Sequence, residues 1–339
     1  MVKKTVTVRD VARKAGVSPG TVSRAIANSP LVNTETHERI MQVVKELDYV
    51  PNLVAQRLST GRTLTIAVIV PFFTTPSVTE RLSGVVRTLA KSEYDLVIHN
   101  IEEPEQRTDC FRTIPRQERV DGALIISISP TDEEVPLLAE AGVPIVLIDM
   151  HHPALGMLHQ VAVDDIAGGK LVTDYLIKLG HTKIGIVSDP IDNPFGFTAS
   201  RDRAFGYRWA LEAAGIPYRP EYYENSYGRQ EARESARKLL TLPERPTAIF
   251  ASSDMQAVGV LEAARQLGLR IPQDLSVVGY DDVEIADILG LTTMRQMLYE
   301  SGQRGVELLL ETLENPETEP VYEVLPTELV IRNTTAPPS

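Results

Sequence analysis

The chain of 339 residues carries 34 Lys and Arg against 46 Asp and Glu, a net charge of −12, and is 43% apolar and 24% charged, which is ordinary globular composition. Its one cysteine, Cys110, excludes an intramolecular disulfide and a cysteine-rich metal site. No apolar run approaches a membrane span and the N-terminus lacks a signal-peptide stretch, so a soluble cytoplasmic protein is expected.

The chain opens with VRDVARKAGVSPGTVSRAI over residues 8–26. Thr7 is placed to cap a first helix, Asp10 favours its positive end, and Val8, Val11, Ala12 and Ala15 recur at helical spacing. Gly16 ends that helix by allowing positive φ, and Val17 fills the corner. Ser18 and Pro19 restart the chain as a cap and a first helical residue. In the second helix Val22 and Ile26 face inward with Ala25. Pro19, Gly20, Thr21, Ser23, Arg24 and Asn28 are left outward or sideways, where an Arg can take guanine O6 and N7 in the major groove of DNA. Small helix pairs that never touch DNA show such spacing too.

A third helix is expected from an Asn33 cap to Leu47, with Ile40, Val43, Val44 and Leu47 as its core face. Next comes YVPNLVAQRLSTGRT, in which Pro51 interrupts the chain, Asn52 can cap a short helix, and Leu53, Val54, Ala55 and Leu58 make that helix too apolar for a plain linker. Eight or nine residues do not hold a helix alone in water, so a symmetry mate or DNA must support it. The first 62 residues hold 10 Lys and Arg against 5 Asp and Glu, and the remainder 24 against 41. Only the N-terminal piece suits phosphate, with Lys3, Lys4, Arg9, Arg13, Lys14, Arg57 and Arg62 as contributors to a salt-dependent affinity.

These motifs, followed by an α/β core, resemble the lactose repressor family (LacI/GalR type) of bacterial transcription regulators, and the resemblance runs nearly end to end. It implies that the hinge helices of two subunits pair on the operator and wedge an apolar side chain into the minor groove. Leu58 would be that wedge, with Ala55 beside it and Asn52 and Gln56 nearby.

From residue 64, short apolar runs alternate with amphipathic patterns: LTIAVIV, DLVIHNI, GALIIS and PIVLID in a first series, and KIGIVS, YYEN, AIFASS and LSVVGYDD in a second. Strands bounded by helices of this length form βαβ units. The fold class is therefore α/β: a three-helix helix-turn-helix domain and hinge helix, then a two-lobed, periplasmic-binding-protein-like core of two doubly wound parallel sheets. The expected boundaries are 1–48 for the DNA-binding domain, 49–62 for the hinge, 63–163 plus 292–324 for the N-lobe, and 164–291 plus 325–339 for the C-lobe. A strand over 291–297 and a helix over 299–314 are expected at the return to the N-lobe. The tail has no heptad segment, which favours a homodimer over a tetramer and, with two reading heads, a pseudo-palindromic operator.

Open α/β sheets bind ligands beyond the carboxyl ends of their strands. Asp149 and Asp281 end strands and Arg201 opens a helix in SRDRAFGY; carboxylates accept from vicinal hydroxyls and Arg donates, which suits a sugar. Phe72, Phe73, Phe195, Phe197 and Tyr227 offer apolar faces. The family resemblance implies effector roles for Asp149, Arg201 and Asp281, and less directly for Tyr227, Ser253 and Leu298. Ser253 stands where many members have Asn. Asp254 and Asp282 read as helix caps.

The expected protein is thus a repressor-type regulator of double-stranded operator DNA, nucleoid-associated, whose affinity is set by a small polar effector between the lobes. It needs no cofactor or metal. Three rivals stand beside it. A solute-binding transport protein would lack the DNA head. An enzyme would need a phosphate loop, metal spacing or nucleophile elbow that the chain does not show. Control by a protein corepressor such as a phosphocarrier protein is left open.

Overall fold

A computed structural model describes residues 6–26, 29–49, 62–150 and 157–339. Asn28, Asn52, Ala55, Gln56 and Leu58 lie outside the described residues. The chain divides into two units, residues 1–63 and 64–339.

In the first unit, α1 (Val8–Ala15), α2 (Pro19–Ile26) and α3 (Thr34–Glu46) form a bundle. The Thr7 N–H donates to Asp10 Oδ2 at 3.0 Å and Gly16 closes α1 with φ of 69°. Thr21 N donates to Ser18 Oγ at 3.2 Å at the start of α2, and Thr36 N to Asn33 Oδ1 at 2.8 Å at the start of α3. Val11, Ala12, Ala15, Val22, Ala25, Ile40 and Val43 are buried between the helices, with Val8, Ile26, Val44 and Leu47 half-buried around them.

In the second unit two sheets alternate with helices. The first takes β1 (Thr65–Pro71), β2 (Asp95–Ile101), β3 (Gly122–Ile126), β4 (Ile145–Ile148) and β5 (His159–Val163), joined by α4 (Pro76–Leu89), α5 (Pro104–Thr113) and α6 (Glu134–Ala139). The second takes β6 (Ile184–Ser188), β7 (Tyr223–Asn225), β8 (Ala248–Ala251), β9 (Ser276–Asp281) and β10 (Thr292–Arg295). Its helices are α7 (Asp165–Lys178), α8 (Ala199–Ala213), α9 (Gly228–Leu240), α10 (Asp254–Gln266) and α11 (Glu284–Ile288). The chain then returns through α12 (Leu298–Glu314) to β11 (Tyr322–Leu325) and ends with β12 (Glu328–Val330). The sheet orders are β11-β5-β4-β3-β1-β2 and β12-β10-β9-β8-β6-β7, parallel except for β12 against β10. On β1, Ile66, Val68 and Val70 pack under α4 and α12, while Ala67 and Ile69 face the α5 and α6 side, so the first sheet is covered on both faces.

Two expected boundaries move. Thr292–Arg295 pairs residue by residue with Val278–Asp281 of β9 and carries β12 on its other edge, so it extends the second sheet instead of opening the return to the first. The crossover comes after it, ahead of α12, whose Gly305 lies against Ile148 and whose Leu309 lies against Gly122 of the first sheet. Leu325, placed in the C-lobe from the sequence, pairs with Val163 in the first sheet.

Glycines set the helix spacing. A Cβ on Gly84 of α4 would fall 2.0 Å from the Tyr299 carbonyl oxygen, and one on Gly302 of α12 would fall 2.0 Å from the Arg81 carbonyl oxygen. Because both obstacles are backbone, the helices must separate to admit a methyl. Gly84→Ala is expected to destabilise by about 1–3 kcal/mol despite the better helix propensity of Ala. Urea unfolding measures it, and an unchanged or higher midpoint would contradict the packing.

Candidate functional site

On α2, Pro19, Gly20, Ser23 and Arg24 are exposed and Thr21 is half-buried. The Ser23 hydroxyl donates to Pro19 O at 3.2 Å, and Arg24 Nε to Gly20 O at 3.3 Å, so Arg24 lies back along its own helix. An exposed bond of that length is readily exchanged for a base edge. Ser18 Oγ and Thr21 Oγ1 share a bond of 2.9 Å, and the Thr7 hydroxyl donates to Asp10 at 2.7 Å, so these three are engaged in shaping the helix starts. Of the basic residues, Arg13 and Lys14 have acidic neighbours in Asp10 at 3.5 Å and Glu46 at 2.8 Å.

In the second unit the carboxyl ends of the two sheets meet over a buried group of charges. On the N-lobe side, Asp149 follows β4 with φ of 64°, accepts from Ser127 Oγ at 2.5 Å, and lies 2.7 Å from Arg81 Nη2. Arg81 is only 2% exposed and donates its Nε to Ser301 Oγ at 2.9 Å. On the C-lobe side, Arg203 of α8 donates Nε to Asp165 at 2.7 Å and Nη1 to Ser252 O at 2.6 Å, lies 3.9 Å from Asp281, and covers the Tyr280 ring at 3.7 Å. Asp281 ends β9 with φ of 118° and accepts from the Gln296 amide, whose own oxygen has no partner.

The two sides act on each other. Burial pushes Asp281 up to about 7 against an ordinary 3.8; Arg203 and Gln296 pull it down, and Asp149 raises it from across the lobe boundary. Burial likewise takes Asp165 to about 6, opposed by Arg203 and reinforced by Asp149. Three carboxylates against two guanidiniums leave capacity for a ligand that brings hydroxyl donors.

An aromatic contact also bridges the lobes. Phe72 meets Phe195 edge-on at 5.2 Å and Phe197 at 6.4 Å, and Phe195 and Phe197 stack at 5.2 Å. The loop carrying them folds on itself through Asn193, which bonds both Phe197 N and Phe197 O, and Ser129 N of the N-lobe donates to Gly196 O at 3.3 Å.

The structure thus brings Asp149 and Asp281 within electrostatic reach of each other and sets Phe72 at the carboxyl edge of the same sheet as Asp149, but it does not bring Arg201 there. Two residues along a helix is a turn of about 200°, so Arg201 and Arg203 point to opposite sides of α8. Arg201 is exposed, bonded to Asp202 at 2.9 Å, and lines a surface groove of about 300 Å³ with Phe205 and Arg208. Phe73 is exposed with its N–H on Asn100. Ser253 caps α10 by accepting from Gln256 N at 3.2 Å, Tyr227 is 40% exposed at the start of α9, and Leu298 is buried at the start of α12. Asp254 is held by Val283 N at 2.9 Å and Thr293 Oγ1 at 2.5 Å, and Asp282 by Arg295 and Arg332.

Arg203, Arg81, Asp165 and Gln296 are the residues that reading the sequence missed. The first two carried a signal: Ser200, Arg203, Ala204 and Tyr207, like Val78, Arg81, Leu82 and Val85, form inward stripes in which one position is an arginine. A cation inside an apolar helical stripe must have a buried partner.

Residues 7–52 match the bacterial regulatory proteins of the lacI family, and residues 173–335 a periplasmic binding protein-like domain. The ribose operon repressor of Escherichia coli (strain K12) is 35% identical over 315 residues, 91% of this chain and 94% of that one. The chain belongs to the lacI family. Among solved structures, the lac repressor dimer bound to operator and the anti-inducer ONPF superposes with a TM-score of 0.86 at 27% identity, covering 98% of this chain and 100% of that one. The transcriptional regulator CelR–cellobiose complex matches with a TM-score of 0.71 at 32% identity over 97% and 99%. This lacI-family member is a DNA-binding transcriptional regulator, like its relatives, and not an enzyme.

Removing Arg203 leaves Asp165 and Asp281 buried without their cation, so Arg203→Ala is expected to cost about 3–5 kcal/mol in urea unfolding. Arg201→Ala should stay within about 0.5 kcal/mol, and equal costs would refute the assignment. The raised folded-state values of Asp281 and Asp165 mean that the native state holds protons the unfolded chain has lost. Their contribution to stability is full below about pH 4 and is lost as pH rises through about 6 to 7. The Tm of ligand-free protein should accordingly fall between pH 5 and pH 8, with a shallower fall in Asp281→Asn; identical slopes would contradict it.

Proposed function

We propose that the protein is a cytoplasmic, nucleoid-associated homodimeric repressor whose operator affinity is set by a sugar between the lobes. The observation that carries this reading is the facing pair of buried charge groups, Arg81–Asp149 and Arg203–Asp165–Asp281, in which carboxylates outnumber cations at the meeting of two open sheet edges. Sugar hydroxyls donate to Asp149 and Asp281 and accept from Arg203. Phe72 supplies an apolar wall, with Tyr227, Ser253 and Leu298 at the margins. Support comes from the cellobiose complex of CelR and from the ribose operon repressor, whose name ties it to a sugar.

On the DNA side, residues 1–48 form the reading head and 49–62 the hinge. Arg24 reads a base edge, Pro19, Gly20, Thr21, Ser23 and Asn28 line the groove, and Thr7 and Ser18 sit where helix N-termini approach phosphate. Asn52, Ala55, Gln56 and Leu58 form the minor-groove contact. The lac repressor dimer bound to operator supports a twofold arrangement. By linkage, whatever factor the ligand applies to operator affinity, the operator applies to ligand affinity.

The test is fluorescence anisotropy on an operator selected from random DNA, with and without ribose and cellobiose. Arg24→Ala should lower affinity for the selected operator about tenfold or more while leaving nonspecific binding nearly unchanged, since one bidentate base contact is worth about 1–3 kcal/mol. One of the sugars should shift the operator isotherm. Equal losses on both DNAs, or no response to any sugar, would overturn the respective half of the reading.

A further inference from the structure

Beyond Arg203 lies a second polar group that the reading above leaves unused. Asp189 follows β6, and its carboxylate accepts from Ser200 Oγ at 2.8 Å and from Gln256 Nε2 at 2.9 Å. Among the described residues neither oxygen forms an ion pair, although Arg203 is near enough to act on it electrostatically. Gln256 Nε2 also donates to Ser226 O at 2.8 Å, and two acceptors on one nitrogen fix the orientation of the amide. Its oxygen is then left without a donor, and so is Ser226 Oγ, in side chains that are each only 1% exposed. Buried polar atoms without partners are uncommon and mark a missing ligand or water. The group is continuous with the charges at the lobe boundary. Ser252 holds Arg203 through its carbonyl, and its hydroxyl donates to Ser188, the residue before Asp189, at 2.8 Å.

We propose that the effector site continues past Arg203 into a subsite of Asp189, Gln256 and Ser226 that takes a hydroxyl of an uncharged sugar and rejects phosphorylated ones. The proposal rests on the sugar reading above. Its chemistry follows from the atoms present: a carboxylate, an amide oxygen and a hydroxyl are acceptors that call for O–H donors. A phosphate would set further acceptors and like charge against an unpaired carboxylate. Asp189 therefore sets specificity, while Arg203, Asp149 and Asp281 hold the ligand.

Isothermal titration of the full-length protein with ribose, glucose, cellobiose, ribose 5-phosphate and glucose 6-phosphate tests it. At least one neutral sugar should bind, its phosphate should bind at least tenfold more weakly, and Asp189→Ala and Gln256→Met should each weaken the neutral sugar about tenfold. Should Asp189→Ala fail to fold, Gln256→Met decides alone. Unchanged affinity in the variants, or equal binding of the phosphate, overturns the subsite and leaves the sugar reading standing. If no sugar binds the wild type while operator binding persists, the sugar reading falls and takes the subsite with it.

Discussion

The structure turns on charges that two lobes bury together. Arg81 reaches Asp149 from one sheet and Arg203 reaches Asp165 and Asp281 from the other, each pair removed from water where its lobe meets the next. Desolvating an ion pair costs about as much as the Coulomb attraction returns, so these pairs add little to stability as long as the balance of partners holds. That near-cancellation suits a switch. A ligand that adds hydrogen bonds at the boundary needs only a few kcal/mol of differential binding to reset the orientation of the lobes.

Backbone strain gathers at the same edge. Phe72, Ser127, Asp149, Asp281, Asp282 and Met297 all have positive φ, and each ends or follows a strand whose carboxyl end faces the other lobe. Non-glycine residues adopt this region at a cost of about 1–3 kcal/mol each, and the surrounding packing must hold them there. Asp149 is held by Ser127 and Arg81, and Phe72 by its contacts with Phe195 and Phe197. The strain aims side chains across the boundary instead of along the sheet.

Much of this was legible in the sequence because it rests on local chemistry. Gly16, the Ser18-Pro19 restart and the Asn33 cap define the helices of the reading head from short-range rules alone. Alternating apolar runs and amphipathic stretches gave both sheets. What the sequence hid was set by pairing at a distance. Thr292–Arg295 looks like the start of a return, yet it joins the second sheet because β9 offers it a parallel edge. The family resemblance pointed to Arg201 as the effector arginine, whereas the phase of α8 sets Arg203, not Arg201, against Asp165 and Asp281. Gln296 took on meaning only when the fold placed Asp281 beside it, and the partner of Arg81 in its inward stripe was named only when the fold placed Asp149 there.

The central claim is that a ligand seated on the lobe-boundary charges controls DNA binding. Asp281→Asn tests it most directly, because it removes one carboxylate from the boundary, keeps the side-chain shape and leaves the reading head untouched. The measurement is the sugar dependence of operator affinity, wild type against variant, by fluorescence anisotropy. The account predicts equal operator affinity without sugar and a sugar response reduced at least tenfold in concentration dependence for the variant. A variant that responds to the same sugar at the same concentration as the wild type would place the effector elsewhere and contradict the account.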